Sequence, residues 1–164
     1  MHKLLVCAGL SLLIFGCKNQ GETLVTDDTE SVFFSFHTMP KKQSLNTKAN
    51  EALANWVEFK ALESSFNVML KAQNNEDLVL AINDLLEKEV ALSKSTYPKI
   101  YDVAQIKSRQ RVLRTFLLKV KASLQERTDV EVPMKQMLEA NNALRKQFNV
   151  IVNNDLNTKL ILDE

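Results

Sequence analysis

Glycine stops at position 21. Gly9, Gly16 and Gly21 are the only glycines in the chain, so everything downstream must fold without the residue that most readily takes a positive φ. Hairpin turns and bulges of a β-rich domain depend on such positions. Their absence predicts an all-α chain joined by simple turns, with Pro40, Pro98 and Pro133 as its punctuation. At 164 residues the chain is long enough for one hydrophobic core and short for two.

Apolar spacing supplies the helices. From Thr47 to Gln73, the residues Ala49, Ala52, Trp56, Phe59, Phe66 and Leu70 follow a three-four step, with Glu63 the exception and Leu53, Val57 and Leu62 widening the stripe. Asn74 to Asp77 offers side-chain caps, and Leu78, Ile82, Leu85 and Leu92 resume the pattern around an interrupting Glu89. Lys94 to Tyr101 reads as a loop whose Tyr97 and Tyr101 clamp it onto the helices. Asp102-Val103-Ala104-Gln105 reads as a capping box. The third helix carries the cleanest seam: Val103, Ile106, Gln110, Leu113, Leu117, Val120 and Leu124, extended by Val112 and Phe116. After a connection at Thr128 to Val132, Pro133 suits the first turn of a fourth helix. That helix uses Met137, Leu144, Phe148 and Ile151 and fades near Asn154. Gln110 and Asn141 are polar residues on seams, suited to setting register. The economical fold is an antiparallel up-down-up-down four-helix bundle over residues 46–157 with a tail at 158–164. A three-helix domain with an added hairpin is the alternative.

The first residues carry a different signal. His2 and Lys3 form a short positive start, and Leu4 to Phe15 form an apolar run too short to span a bilayer. Ile14-Phe15-Gly16-Cys17 at its end resembles the lipobox of bacterial lipoproteins. That resemblance implies a signal peptide at residues 1–16, cleavage before Cys17 and acylation of the Cys17 thiol. Cys7 would leave with the signal, so no thiol would remain for a disulfide, a metal or redox chemistry. Residues 17–45 then comprise the lipidated cysteine, a polar tether and an aromatic arm. Lys18, in place of the aspartate that retains lipoproteins at the inner membrane, implies an outer-membrane protein facing the periplasm, with the cell-surface face as the alternative. The layout resembles small envelope lipoproteins of Bacteroidota, a similarity that carries no activity with it.

Candidate contact residues fall in three places. The run Val32 to Pro40 concentrates Phe33, Phe34 and Phe36, which either lie across the helices as an extended arm or dock a partner. Trp56 and Phe59 are core anchors or the lining of a small-molecule pocket. On the third helix Lys107, Arg111, Arg114 and Lys121 project within a sector of about 80°. They are either a footprint for an anion or pairing partners for the acidic second helix, which carries Glu76, Asp77, Asp84, Glu87 and Glu89.

Chemistry finds little footing. His37 would be the one histidine left after processing, with no thiol beside it, which leaves neither a nucleophile-base arrangement nor a metal-ligand set. No Glu-x-x-His motif or phosphate loop occurs, and no cofactor is expected. With 21 basic residues against 20 acidic ones, overall charge identifies no partner; no nucleic acid is expected. The expected function is that of a non-enzymatic, membrane-anchored helical bundle binding another envelope protein, of unknown oligomeric state. The alternatives are a small-ligand-binding bundle and an inhibitor or immunity lipoprotein.

Overall fold

A computed structural model of the chain describes the backbone of residues 36–162 and the side chains of residues 36–154. Five α-helices account for most of it: α1 (Thr47–Leu53), α2 (Val57–Met69), α3 (Asn75–Lys94), α4 (Ala104–Glu126) and α5 (Glu131–Leu162). Short 3-10 turns lie at Phe36–Thr38 and Lys99–Tyr101, and there is no strand among the described residues. The all-α expectation therefore holds for this part of the chain.

The single helix expected from Thr47 to Gln73 is two. It breaks at Ala54-Asn55-Trp56, where Trp56 leaves the helical region at φ −88° and ψ 91° and serves as the N-cap of α2. The break lets α1 pack on α5 while α2 packs on α3. Both pieces bury part of the same apolar stripe, so periodicity runs across the break unchanged, and neither glycine nor proline marks it. Three expected stripe residues lie outside the core: Val57 and Val112 are exposed, and Leu70 sits in the turn after α2.

Two further boundaries differ from expectation. Asp102 does not cap α4. Its backbone N–H donates to the Pro98 carbonyl at 3.0 Å, its carboxylate pairs with Lys107, and Val103 is the N-cap, with no side-chain hydrogen bond. The fourth predicted helix, α5, continues past Asn154 to Leu162. Other local signals behave as read. Asn74 caps α3 by accepting the Asp77 N–H at 2.7 Å, and Pro133 falls in the first turn of α5.

Without glycine, α4 still ends in a left-handed residue. Arg127 takes φ 53°, the Thr128 N–H returns to the Ser123 carbonyl at 3.0 Å, and the Arg127 N–H reaches the Leu124 carbonyl at 3.4 Å. This is a Schellman closure that glycine usually provides. Placing arginine there costs about 1 kcal/mol.

Consecutive helices pack: α2 on α3, α3 on α4, α4 on α5. Ser65 on α2 meets Asp84 on α3, while Glu89 on α3 meets Gln110 and Arg114 on α4. Side chains also join α5 to α2, through Phe148 against Phe59 and Arg145 against Glu63. The core buries Leu62, Phe66, Leu78, Leu85, Ile106, Leu113 and Leu117, and Trp56, Phe59, Tyr101 and Phe148 cluster ring against ring within it.

Candidate interaction surfaces

Trp56 and Phe59 both lie inside the core. The Trp56 indole is covered by Tyr97 at 4.8 Å between ring centroids, by Phe59 at 6.0 Å and by Phe148 at 6.3 Å. Its Nε1–H donates to the Ser95 hydroxyl at 2.8 Å, which anchors the α2 start to the end of α3. Tyr101 packs edge-on to Phe148 at 4.7 Å, and burial pushes its hydroxyl up to about 12. The two tyrosines thus hold the 95–103 connection onto the bundle, as the sequence suggests.

The polar interruptions of the seams find one another. Glu89 is 1% exposed; its carboxylate accepts from Arg114 at 2.6 Å and from the Gln110 amide at 3.2 Å. Gln110 in turn accepts the Tyr97 hydroxyl. Burial, chiefly, and the nearby Glu89 charge raise the Tyr97 hydroxyl above its ordinary range. These groups satisfy each other across α3 and α4, which is the behaviour of a register-setting network. Glu63, the exception on α2, meets Arg145 of α5 and also Lys42 at 2.7 Å.

The basic sector divides. Arg114 turns into the α3 contact, and Lys107 is held by Asp102 with its ammonium 5.4 Å from the Tyr97 ring centre. Arg111 and Lys121 have no ion pair among the described residues. Pairing with the acidic α3 therefore accounts for one of the four cations, because Asp84 is engaged by Lys88 at 3.3 Å and by the Ser65 hydroxyl instead.

Of the aromatic arm, Phe36 packs half-buried against the core and Met39 is buried. Phe33, Phe34 and Cys17 lie outside the described residues. Beyond Met39 the chain runs as an extended strap held by one face of α5, a contact that sequence reasoning missed. Asn142 accepts the Gln43 N–H at 2.7 Å and donates to the Lys41 carbonyl at 2.8 Å. One turn along, Arg145 donates to the Gln43 carbonyl. Asn149 repeats the clamp, accepting the Asn46 N–H and donating to the Ser44 carbonyl, each at 2.9 Å. Asn153 accepts from the Asn46 side chain at 3.3 Å. Primary amides that each take one N–H and one C=O bind main chain regardless of side chain. The spacing of Asn142, Arg145, Asn149 and Asn153, three, four and four residues on one helix face, was the available signal.

An open apolar groove of about 420 Å³ lies between α2 and α3, lined by Val68, Ala72, Leu80 and Ala81 with Lys71, Asp77 and Asp84 at its edges. Val68 is 60% and Leu80 70% exposed. Among the described residues no cluster of three or more His, Cys, Asp or Glu side chains could hold a metal, and no helix is long and apolar enough to cross a membrane. No protein-family model, curated protein or solved structure matches the chain.

Proposed function

We propose that the chain is a non-enzymatic lipoprotein of the cell envelope. In this reading Cys17 carries the lipid, the outer membrane holds the chain at its periplasmic face, and an up-down-up-down bundle of α2 to α5, with α1 laid on α5, presents a surface to another envelope protein. The packing of each of these helices on the next, and the Phe59–Phe148 contact that brings α5 to α2, support the bundle topology.

One observation carries the choice of a surface over an interior. The aromatic residues that a ligand pocket would use, Trp56 and Phe59, are packed ring against ring, while Val68 and Leu80 rim a groove open to solvent. Apolar side chains left bare beside an open groove are what a protein contact covers. The small-ligand alternative relies on Trp56 and Phe59 and has less support from this packing.

The test is co-purification of the full-length acylated protein after in-cell cross-linking from a photoreactive residue at Lys71. A discrete cross-linked protein is expected, and Val68→Asp with Leu80→Asp should lower its recovery about tenfold or more, since each lost aliphatic burial is worth roughly 1–2 kcal/mol. Helical circular dichroism should not change, both sites being exposed. Equal recovery with the double variant would argue against the groove as the contact.

A further inference from the structure

We propose that the outward face of α4 docks on an anionic phospholipid membrane. This surface is distinct from the α2–α3 groove, and the inference goes beyond the adaptor reading. Between Ala104 and Glu126 the helix carries Lys107, Arg109, Arg111, Arg114, Lys119 and Lys121 against the single acid Glu126. Two of those cations have carboxylate partners: Arg114 pairs with Glu89 and Lys107 with Asp102. Arg109, Arg111, Lys119 and Lys121 have no ion pair among the described residues, although Lys119 rests 4.8 Å from the Phe116 ring centre. The charge is therefore local to α4, on a chain whose total is only +1.

What selects a membrane over another anion is the aliphatic component. Residues seven apart on a helix project about 20° apart and about 10 Å along the axis. Arg111 and Leu118 form one such row, and Val112 and Lys119 form the next. Cation and aliphatic group alternate diagonally across the face, with Thr115 between them. Val112 is 40% and Leu118 47% exposed, so neither is absorbed by the core. Headgroup phosphates satisfy the cations while the two aliphatic groups reach the acyl boundary, the combination that interfacial helices use. A polyanion without an apolar layer would leave Val112 and Leu118 in water.

The binding is tested with the full chain carrying Cys17→Ser, so that no acyl group contributes. Partition is measured by sedimentation on vesicles of phosphatidylglycerol with phosphatidylethanolamine, and on vesicles of phosphatidylcholine. The apolar N-terminal run adheres to both, so the ratio of the two partition coefficients is the readout. A Lys or Arg at an anionic surface contributes about fivefold, so Arg111→Gln with Lys119→Gln should lower that ratio about 25-fold. Val112→Ser with Leu118→Ser should lower partition onto the anionic vesicles while leaving its salt dependence in place. Equal partition onto both vesicle types, an unchanged ratio in the Gln variant, or binding to heparin or duplex DNA without binding to vesicles would each overturn the proposal. Cells separate it from the anchor: Cys17→Ser tests lipidation, whereas Arg111→Gln with Lys119→Gln tests the α4 face with Cys17 intact.

Discussion

Phe148→Ala should lower the unfolding free energy by about 3–5 kcal/mol, the range for removing a buried aromatic ring that leaves a cavity. The site gives reason to expect the upper half. Phe148 is fully buried, and Tyr101, Phe59 and Trp56 meet it edge-on at 4.7, 5.2 and 6.3 Å. Such ring pairs add about 0.5–1.5 kcal/mol each beyond their buried area. The ring also joins elements distant in sequence: α5, α2 and the turn at Tyr101. Urea unfolding monitored by circular dichroism and by Trp56 fluorescence measures the loss, and Trp56 emission in the folded variant should move to longer wavelength. Phe148→Leu, which keeps most of the volume, should cost less than half as much. A loss below about 1 kcal/mol for the alanine variant would contradict the packing described.

The second large effect concerns the strap. Arg145→Ala removes a nearly buried guanidinium from the Glu63 carboxylate and from the Gln43 carbonyl at once. Breaking a buried pair by removing one partner costs about 3–5 kcal/mol. Lys42 still reaches Glu63 at 2.7 Å, which places the expectation near the lower bound, about 3 kcal/mol. Because the loss falls on the strap, tryptic cleavage after Lys41 and Lys42 should accelerate about tenfold or more under native conditions. Replacing both partners, Arg145→Met with Glu63→Met, should recover much of the global stability. Faster cleavage should persist in that double variant, since the Gln43 carbonyl still lacks its donor. Unchanged cleavage in Arg145→Ala would mean that the Asn142 and Asn149 clamps hold the strap unaided.

How far these features were legible in the sequence depended on how far apart the interacting residues lie. Helix positions were readable because an apolar stripe and its Asn74 cap are local. The seam interruptions at Glu63, Glu89 and Gln110 could be seen as anomalies, but their meaning could not. Glu89 meets a partner 25 residues away and Glu63 one 82 residues away, distances over which periodicity carries no information. The break at Trp56 went unread because both flanking helices bury the same stripe. Asp102 matched a capping pattern, yet its amide was already committed to the Pro98 turn. Asn142, Asn149 and Asn153 look like solvated helix residues until an extended segment lies against them. The basic sector was visible as a sector, whereas which cations turn inward depended on where α3 places Glu89 and on the loop that presents Asp102.

The adaptor reading places the chain at an envelope membrane through Cys17. The most direct measurement is metabolic labelling with palmitate, combined with membrane fractionation of the wild type and of Cys17→Ser. The account predicts that wild-type protein carries label and fractionates with the outer membrane, and that Cys17→Ser carries none. Unlabelled wild-type protein, or a Cys17→Ser form that keeps its label, would contradict it.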